Sequence, residues 1–527
     1  MFAQAGKRFL KNEDGAIAPM FALSLTALIA VGGIAFDYSR MASMDTELQN
    51  AADQAALAAA SQLDGTAGAV TRSTAAASGL VANSTVFAND GDGTGVTIAS
   101  VVFYEDREGA NLVNAADADA DTRARFVEVT VGAREAFYAL TPIVNAISSG
   151  DIDATTMAGM GSAICKVPPV MICNPAEASD PTFTTANFIG DGIKLVSVGS
   201  GGGAWAPGNF GYLDTGGGSG GANGLREDLG WVSPPGDCLA QTGVDTKPGA
   251  TVDVVDSMNT RFDIYDNVAC QSGGACPASI NAIKDLVRNG NANGNNACRL
   301  HTSGWKEVVS ADQYLPTSAT APLAASITPK SMGHPRDMCH AVVGSASGAC
   351  TGPIGNGNWD RNAYFRVNYP AWAAGSWPGH TGLGSTATRY DVYNWEIENR
   401  DTVVGGQTVL GTRNPYGNGA NQPRDYDKPV CSPTAGYGSG HVPGGTNVDR
   451  RRLSVAVINC TANGVNGAAD NVPVLKWLEV FLVEPSINRA RTSRGEIYVE
   501  VIEETTTAGG GGSAGQVVRR DVPYIVR

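Results

Sequence analysis

The sequence predicts an α+β protein built in three parts. A single N-terminal transmembrane helix continues beyond the membrane, its outer half lies on a small antiparallel sheet, and a large β-rich, disulfide-containing ectodomain follows. Three observations carry this reading. Ala16 to Phe36 is a run of 21 residues without a charge. Arg40 to Leu63 contains no Gly or Pro and is mostly Ala, Leu, Met, Gln and acidic residues. All ten cysteines lie between Cys165 and Cys460, beyond both segments.

At 1.5 Å per residue the uncharged run makes about 32 Å of helix, enough to cross a hydrocarbon core of about 30 Å. The segment after it is composed of fair-to-good helix formers, and nothing between the two would break a helix. One rod from Gly15 to Leu63 is therefore expected, with Pro19 tolerated near its start. Lys7, Arg8 and Lys11 precede the span while only Arg40 follows closely. The positive-inside rule then leaves residues 1–14 as a cytoplasmic leader and exports everything after Asp37. A cleaved signal peptide, with an exit near Ala30 or Ala35, is the alternative; the apolar run is longer than the usual core of such a peptide.

Within the rod, Gly33, Ala35, Asp37 and Arg40 spell G-x-A-x-D-x-x-R. Leu48, Gln49, Ala51, Ala52, Asp53, Ala55, Ala56, Leu57, Ala58, Ala59 and Ala60 then spell L-Q-x-A-A-D-x-A-A-L-A-A-A. With the short basic leader ending at Gly15, this order resembles the N-terminal segment of TadE/TadG-like Flp pilus-assembly proteins of bacteria. The likeness is close over the rod and looser to residue 165. It implies a pilin-like plan, a long helix laid on a small sheet, and a role in a Flp (tight-adherence) pilus system. A type IV pilin processing site has Glu five residues after the leader Gly; Met20 stands there, so cleavage at Gly15 is not expected. Many relatives carry a von Willebrand factor A metal site, D-x-S-x-S. Asp256-Ser257-Met258-Asn259 does not match it.

Strand-like stretches follow the rod. Val96–Tyr104 is β-branched and aromatic, and Arg125–Val131 alternates Val127, Val129 and Val131 with Glu128 and Thr130. Asp90–Gly93 reads as a turn, Ala136–Ile147 as a short helix interrupted by Pro, and Ile152–Ile164 as extended. This places a pilin-like domain at 64–165 and a Cys- and Gly-rich domain at 166–527. In the latter, strands are expected at Ile193–Val198, Arg261–Tyr265, Tyr364–Tyr369, Leu453–Asn459, Val474–Val483, Glu496–Ile502 and Gln516–Val526, and a short helix at Ala282–Arg288. Gly-rich tracts at 199–224 and 509–515 read as loops.

Sixty-six glycines and 26 prolines without a fixed period mark a loop-rich chain, while 43% hydrophobic residues suffice for real cores. A net charge of −14 offers no basic face for phosphates and argues against nucleic acid as a partner. An even cysteine count without C-x-x-C points to disulfides in an oxidising compartment. The short-range candidates are Cys165–Cys173, Cys270–Cys276 and Cys339–Cys350.

Chemical motifs are sparse. Asp214-Thr215-Gly216 repeats the D-T-G of aspartic proteases, but that chemistry needs two such carboxylates and a second D-[TS]-G is absent. Asp117, Asp119, Asp121 and Glu128 fall in a calcium-loop register, yet Thr122 replaces its glycine. Cys298-x-x-His301 and Cys339-His340 hint at zinc, with disulfide pairing the simpler account. The aromatics Trp359, Tyr364, Phe365, Tyr369, Trp372 and Trp377 read as core. No catalytic, cofactor-binding or metal site is expected.

The expected role is thus a membrane-anchored structural or assembly component, with a pilus-associated adhesin or surface-binding module as the alternative and an exported hydrolase behind it. Its expected partners are the inner membrane, pilus-assembly proteins through the N-terminal helix, and a second copy of the chain. Met41, Met44, Leu48, Ala51, Ala55 and Ala58 form a seam suited either to a sister helix or to the protein's own sheet. Ala52, Ala56, Leu57, Ala59 and Ala60 widen the apolar arc, and this second flank, with Ala52, Ala56 and Ala60 in it, is expected to associate with partners.

Overall fold

The expected rod is one α-helix, Ile17–Ala60 (α1), 44 residues long. The computed structural model describes residues 17–80, 86–87, 95–106, 109–140, 149–165, 167–197, 205–215, 221–235, 239–240, 243–247, 252–266, 270, 274–342, 350, 352–417, 419, 421–424, 427–432, 440–444, 447–489, 492–505 and 518–526. The leader, Ala16, the Asp90–Gly93 turn, residues 141–147 and the 509–515 tract lie outside them. The chain divides into two units, residues 1–161 with 521–527, and residues 162–520.

In the first unit a second helix, Ala69–Leu80 (α2), follows α1. The strands are Ile98–Tyr104 (β1), Leu112–Val113 (β2), Phe126–Phe137 (β3) and Ser149–Cys165 (β4). Pairing runs β4-β3-β1-β2 and is antiparallel throughout, and the closing strand Val518–Ile525 adds to the outer side of β4. Val127, Val129 and Val131 of β3 are fully buried, as alternation requires, and Ala136 and Phe137 prolong the strand where a helix was expected. The sheet packs on α1 in two apolar clusters. One joins Met44, Leu48, Ala51 and Ala52 to Val96, Val131 and Ala154; the other joins Ala55, Ala56, Ala59 and Ala60 to α2, Phe103, Val127 and Val129.

The second unit is built on a closed six-stranded barrel. Its strands are Val170–Cys173 (β5), Gly192–Ser197 (β6), Asn209–Tyr212 (β7), Arg452–Ile458 (β8), Lys476–Leu482 (β9) and Glu496–Glu504 (β10). The order is β8-β9-β10-β6-β7-β5, with β5–β8 and β6–β7 parallel and the other pairs antiparallel. Leu453, Val455, Val457, Leu478, Val480, Leu482, Ile497, Val499 and Val501 belong to the main core, while Ala456, Ile458 and Trp477 enter a second cluster on the opposite face. β8 is buried on both faces, as are most of β9 and β10, so these strands show no alternation of buried and exposed positions.

Several expectations are corrected here. Tyr364–Tyr369 is not a strand but part of a helix, Arg361–Asn368 (α3), started by Asp360, whose carboxylate accepts the Ala363 N–H at 2.9 Å. Its aromatics favour a strand by propensity, but packing against a helical neighbour overrides that preference. That neighbour, Arg389–Glu398 (α4), starts with a capping box between Thr388 and Asp391. Val252–Phe262 is a 3₁₀ helix, so Arg261 begins no strand. Ala282–Arg288 forms no helix; Leu286–Asn289 is a strand. The 199–224 tract contains β7. Residues 521–527 return to the first unit instead of belonging with the 166–527 domain.

Among the described residues, four disulfides tie the second unit. Cys270–Cys276 and Cys339–Cys350 are the short-range pairs read from spacing, and Cys298–Cys431 spans 133 residues. Cys173 does not pair with Cys165: it bonds Cys460 across 287 residues, because the parallel β5–β8 register sets Cys173 beside Ile458 at the end of the ladder. The side chain of Cys165 is outside the described residues.

Candidate functional site

The residues of the N-terminal motif converge at the end of the apolar segment of α1. Gly33 is buried, and a Cβ there would come within 3.1 Å of the Leu140 Cβ, so the absent side chain admits the chain after β3. One turn on, Asp37 is only 3% exposed, and its carboxylate accepts the N–H groups of Ala139 and Leu140 at 2.8 and 2.9 Å. A carboxylate holding two backbone donors makes charge-assisted bonds of the stronger kind. Beside it the Tyr138 hydroxyl meets the Met41 sulfur at 3.0 Å. Arg40 donates to the Phe87 carbonyl at 3.0 Å, and Glu47 accepts the N–H groups of Val86 and Phe87.

About three turns beyond Asp37 the second half of the motif repeats the device. Gln49 donates to Thr156 of β4 at 2.7 Å and to Asp53 at 3.0 Å, and the Thr156 hydroxyl donates to Asp53 at 2.6 Å. Thr156 is itself fully buried, so the triad satisfies a hydroxyl that would otherwise be stranded in an apolar interface. The polar letters of the motif thus act as a clamp that fixes α1 to the segment after β3, to Phe87 and to β4.

Ala52, Ala56 and Ala60, read from sequence as an associating flank, are fully buried in that interface, and the seam residues Met44, Leu48, Ala51 and Ala55 are buried with them. The protein's own sheet takes both stripes, so neither is open to a partner; this corrects the sequence reading. The outward positions of the outer half include Asp45, Thr46, Asn50 and Gln54, a polar stripe. Below Asp37 the helix is the reverse. Met20, Leu23, Leu28, Val31 and Phe36 are exposed, and only 6% of its most apolar 18-residue window is buried. Apolar surface on every side of a helix calls for an apolar surrounding. The helix is long and apolar enough to cross a membrane.

The other constellations have structural employment. Asp121 accepts the N–H groups of Val70 and Gly68 at the start of α2, and these bonds lower its pKa. Asp117 and Asp119 face Arg123. Asp214 pairs with Lys247 at 3.3 Å, and Asp256 pairs with Arg494. Cys339, His340 and Cys350 come within 4.8 Å of one another, but the sulfurs are bonded to each other. The ring of His340 lies between the Tyr498 hydroxyl at 2.9 Å and the Gly352 carbonyl at 3.0 Å. The aromatic cluster, from Trp359 to Trp377, is core as expected.

What sequence reasoning missed is the buried ionic chemistry of the second unit. Arg389 bridges Asp337 and Glu500, all three fully buried, and Arg336 joins Glu484 and Glu496. Burial opposes ionisation of Asp337, yet Arg389 and backbone N–H groups outweigh it and lower its pKa. Glu396 is fully buried, accepts from Tyr364, Tyr369 and Asn281, and is raised by burial to about 7. These partners are separated by 27 to 160 residues, so no local spacing announces them.

With this geometry in place, comparison adds one relationship. Residues 15–62 match the family described as putative Flp pilus-assembly TadE/G-like. No curated protein and no solved structure matches the chain.

Proposed function

We propose that this chain is a membrane-anchored structural component of a Flp-type pilus-assembly system and performs no catalysis. The observation that carries the reading is the pairing of a clamped, internally satisfied outer helix with a bare apolar inner one, in the segment that matches the pilus-assembly family. The inner segment crosses the bacterial inner membrane, residues 1–14 lie in the cytoplasm and residues from Asp37 onward in the periplasm. Partner contacts are made by the exposed apolar residues of the span, since the alanine stripes are occupied. The clamp transmits the position of the span to the folded first unit.

Reporter fusions after Leu63 test the topology: activity of a periplasm-dependent reporter is expected, and activity of a cytoplasm-dependent one overturns it. Photo-crosslinking residues at Leu28 and, separately, at Asn50 test the contact surface. Adducts with pilus-assembly proteins from Leu28 and none from Asn50 are expected. Recovery of the protein with sheared pilus fibres rather than with membranes would instead favour the adhesin reading.

A further inference from the structure

A cavity of about 600 Å³ opens in the second unit, beside the antiparallel pair Leu286–Asn289 and Trp305–Glu307. Leu286, Leu300 and Ile487 give it apolar walls, and its polar groups are unevenly committed. Asp256, one of the lining residues, is occupied by the Arg494 guanidinium, which reaches it through Nε at 3.2 Å and through a second nitrogen. Glu307 lies in the field of Arg489. Asp266 and Lys306 also line the cavity, and among the described residues neither has an ion-pair partner. Asp266 accepts one backbone N–H, from Leu300 at 3.2 Å. Its carboxyl is pushed above the ordinary range, chiefly by burial and further by Asp256, against the Leu300 N–H and the charges of Arg299 and Arg494. A carboxylate and a partly buried ammonium outside any ion pair among the described residues, set with apolar walls in one space, define a ligand by complement.

We propose that this cavity binds a zwitterion with an apolar body, an amino acid or short peptide. Its ammonium meets Asp266, its carboxylate meets Lys306, and its side chains lie against Leu286, Leu300 and Ile487. Charge-assisted bonds at both ends fix orientation, and the walls supply apolar burial. The site is independent of the pilus-assembly reading: it uses no residue of α1.

Calorimetric titration of the full chain in detergent micelles with L-leucyl-L-leucine tests it. Saturable binding is expected, with the N-acetyl and C-terminal amide forms of the dipeptide each weaker by about tenfold or more. In Asp266→Asn the preference for the free over the acetylated amine should vanish. In Lys306→Gln the preference for the carboxylate over the amide should vanish. Absence of saturable binding, equal binding of the three ligands, or a discrimination that survives its matching substitution overturns the proposal. The ligand series on the unaltered protein decides the matter even where a variant fails to fold.

Discussion

The two units bury their interiors by opposite means. In the first, α1 meets its sheet through Ala51, Ala52, Ala55, Ala56, Ala59 and Ala60, each fully buried. Such side chains contribute little apolar area apiece but let a helix backbone approach the sheet closely, and the polar motif residues then fix the register. In the second, the largest fully buried side chains are Trp305, Arg261, Arg389, Arg450 and Arg451. Arginines at that depth are tolerable only where carboxylates or carbonyls receive them: Arg389 has Asp337 and Glu500, and Arg451 has the carbonyls of Leu482 and Val483. The first unit is therefore limited by volume and the second by charge satisfaction. A substitution harmful to one kind of interior need not harm the other.

The largest effect should come from charge in the second unit. Arg389→Ala leaves Asp337 and Glu500 buried and unpaired, and a loss of about 3–5 kcal/mol is expected in denaturant unfolding. Next comes volume and charge in the first unit. Ala56→Arg forces a long cation into an interface with no space for it, and about 3 kcal/mol or more should be lost. Limited proteolysis should then cut the first unit while the second resists. A decline in partner binding with the first unit still folded would contradict the burial described. Replacing both Cys173 and Cys460 by Ala should cost about 2–4 kcal/mol, measured by the same unfolding of the second unit. The smallest effect is a pH dependence centred on Glu396.

For Glu396 the folded-state pKa of about 7 lies above the ordinary 4.5, so the folded form holds its proton more tightly than the unfolded chain. Its contribution to stability is full below pH 4.5 and is lost as pH rises towards 7. Glu396 faces His334 at 3.8 Å and also feels Asp427, while burial, helped by Arg451 and Arg389, pushes the His334 pKa well down. Glu396→Gln should flatten the stability profile between those pH values by about 1–3 kcal/mol. An unchanged slope would show that the proton resides elsewhere in the cluster.

The comparison also explains what the sequence made legible. The rod, its membrane-length apolar half and the alternation of β3 are local patterns, and each is found where it was read. Four of the six barrel strands, β6, β8, β9 and β10, were legible, while the short Val170–Cys173 and Asn209–Tyr212 were not. Aromatic Tyr364 and Phe365 misled, because β propensity is weaker than the demands of a helical core. The alanine flank misled for another reason: a wide apolar arc shows that a helix is covered, and leaves open by what. The Cys173–Cys460 bond and the Arg389 triad join residues 287, 52 and 111 positions apart and depend on a topology that only the folded chain supplies.

The closing strand has a consequence for the order of events at the ribosome. The sheet of the first unit acquires Val518–Ile525 outside β4, so it is not complete until nearly the whole second unit has been synthesised. Until then β4 presents unpaired backbone groups along one edge, the kind of surface that recruits a stray strand. Tyr524 seals the arrangement, its ring 6.5 Å from that of Phe126 on β3, and Val526 donates to the Met157 carbonyl at 2.7 Å. A chain halted before residue 518 would carry every letter of the N-terminal motif and still expose that edge.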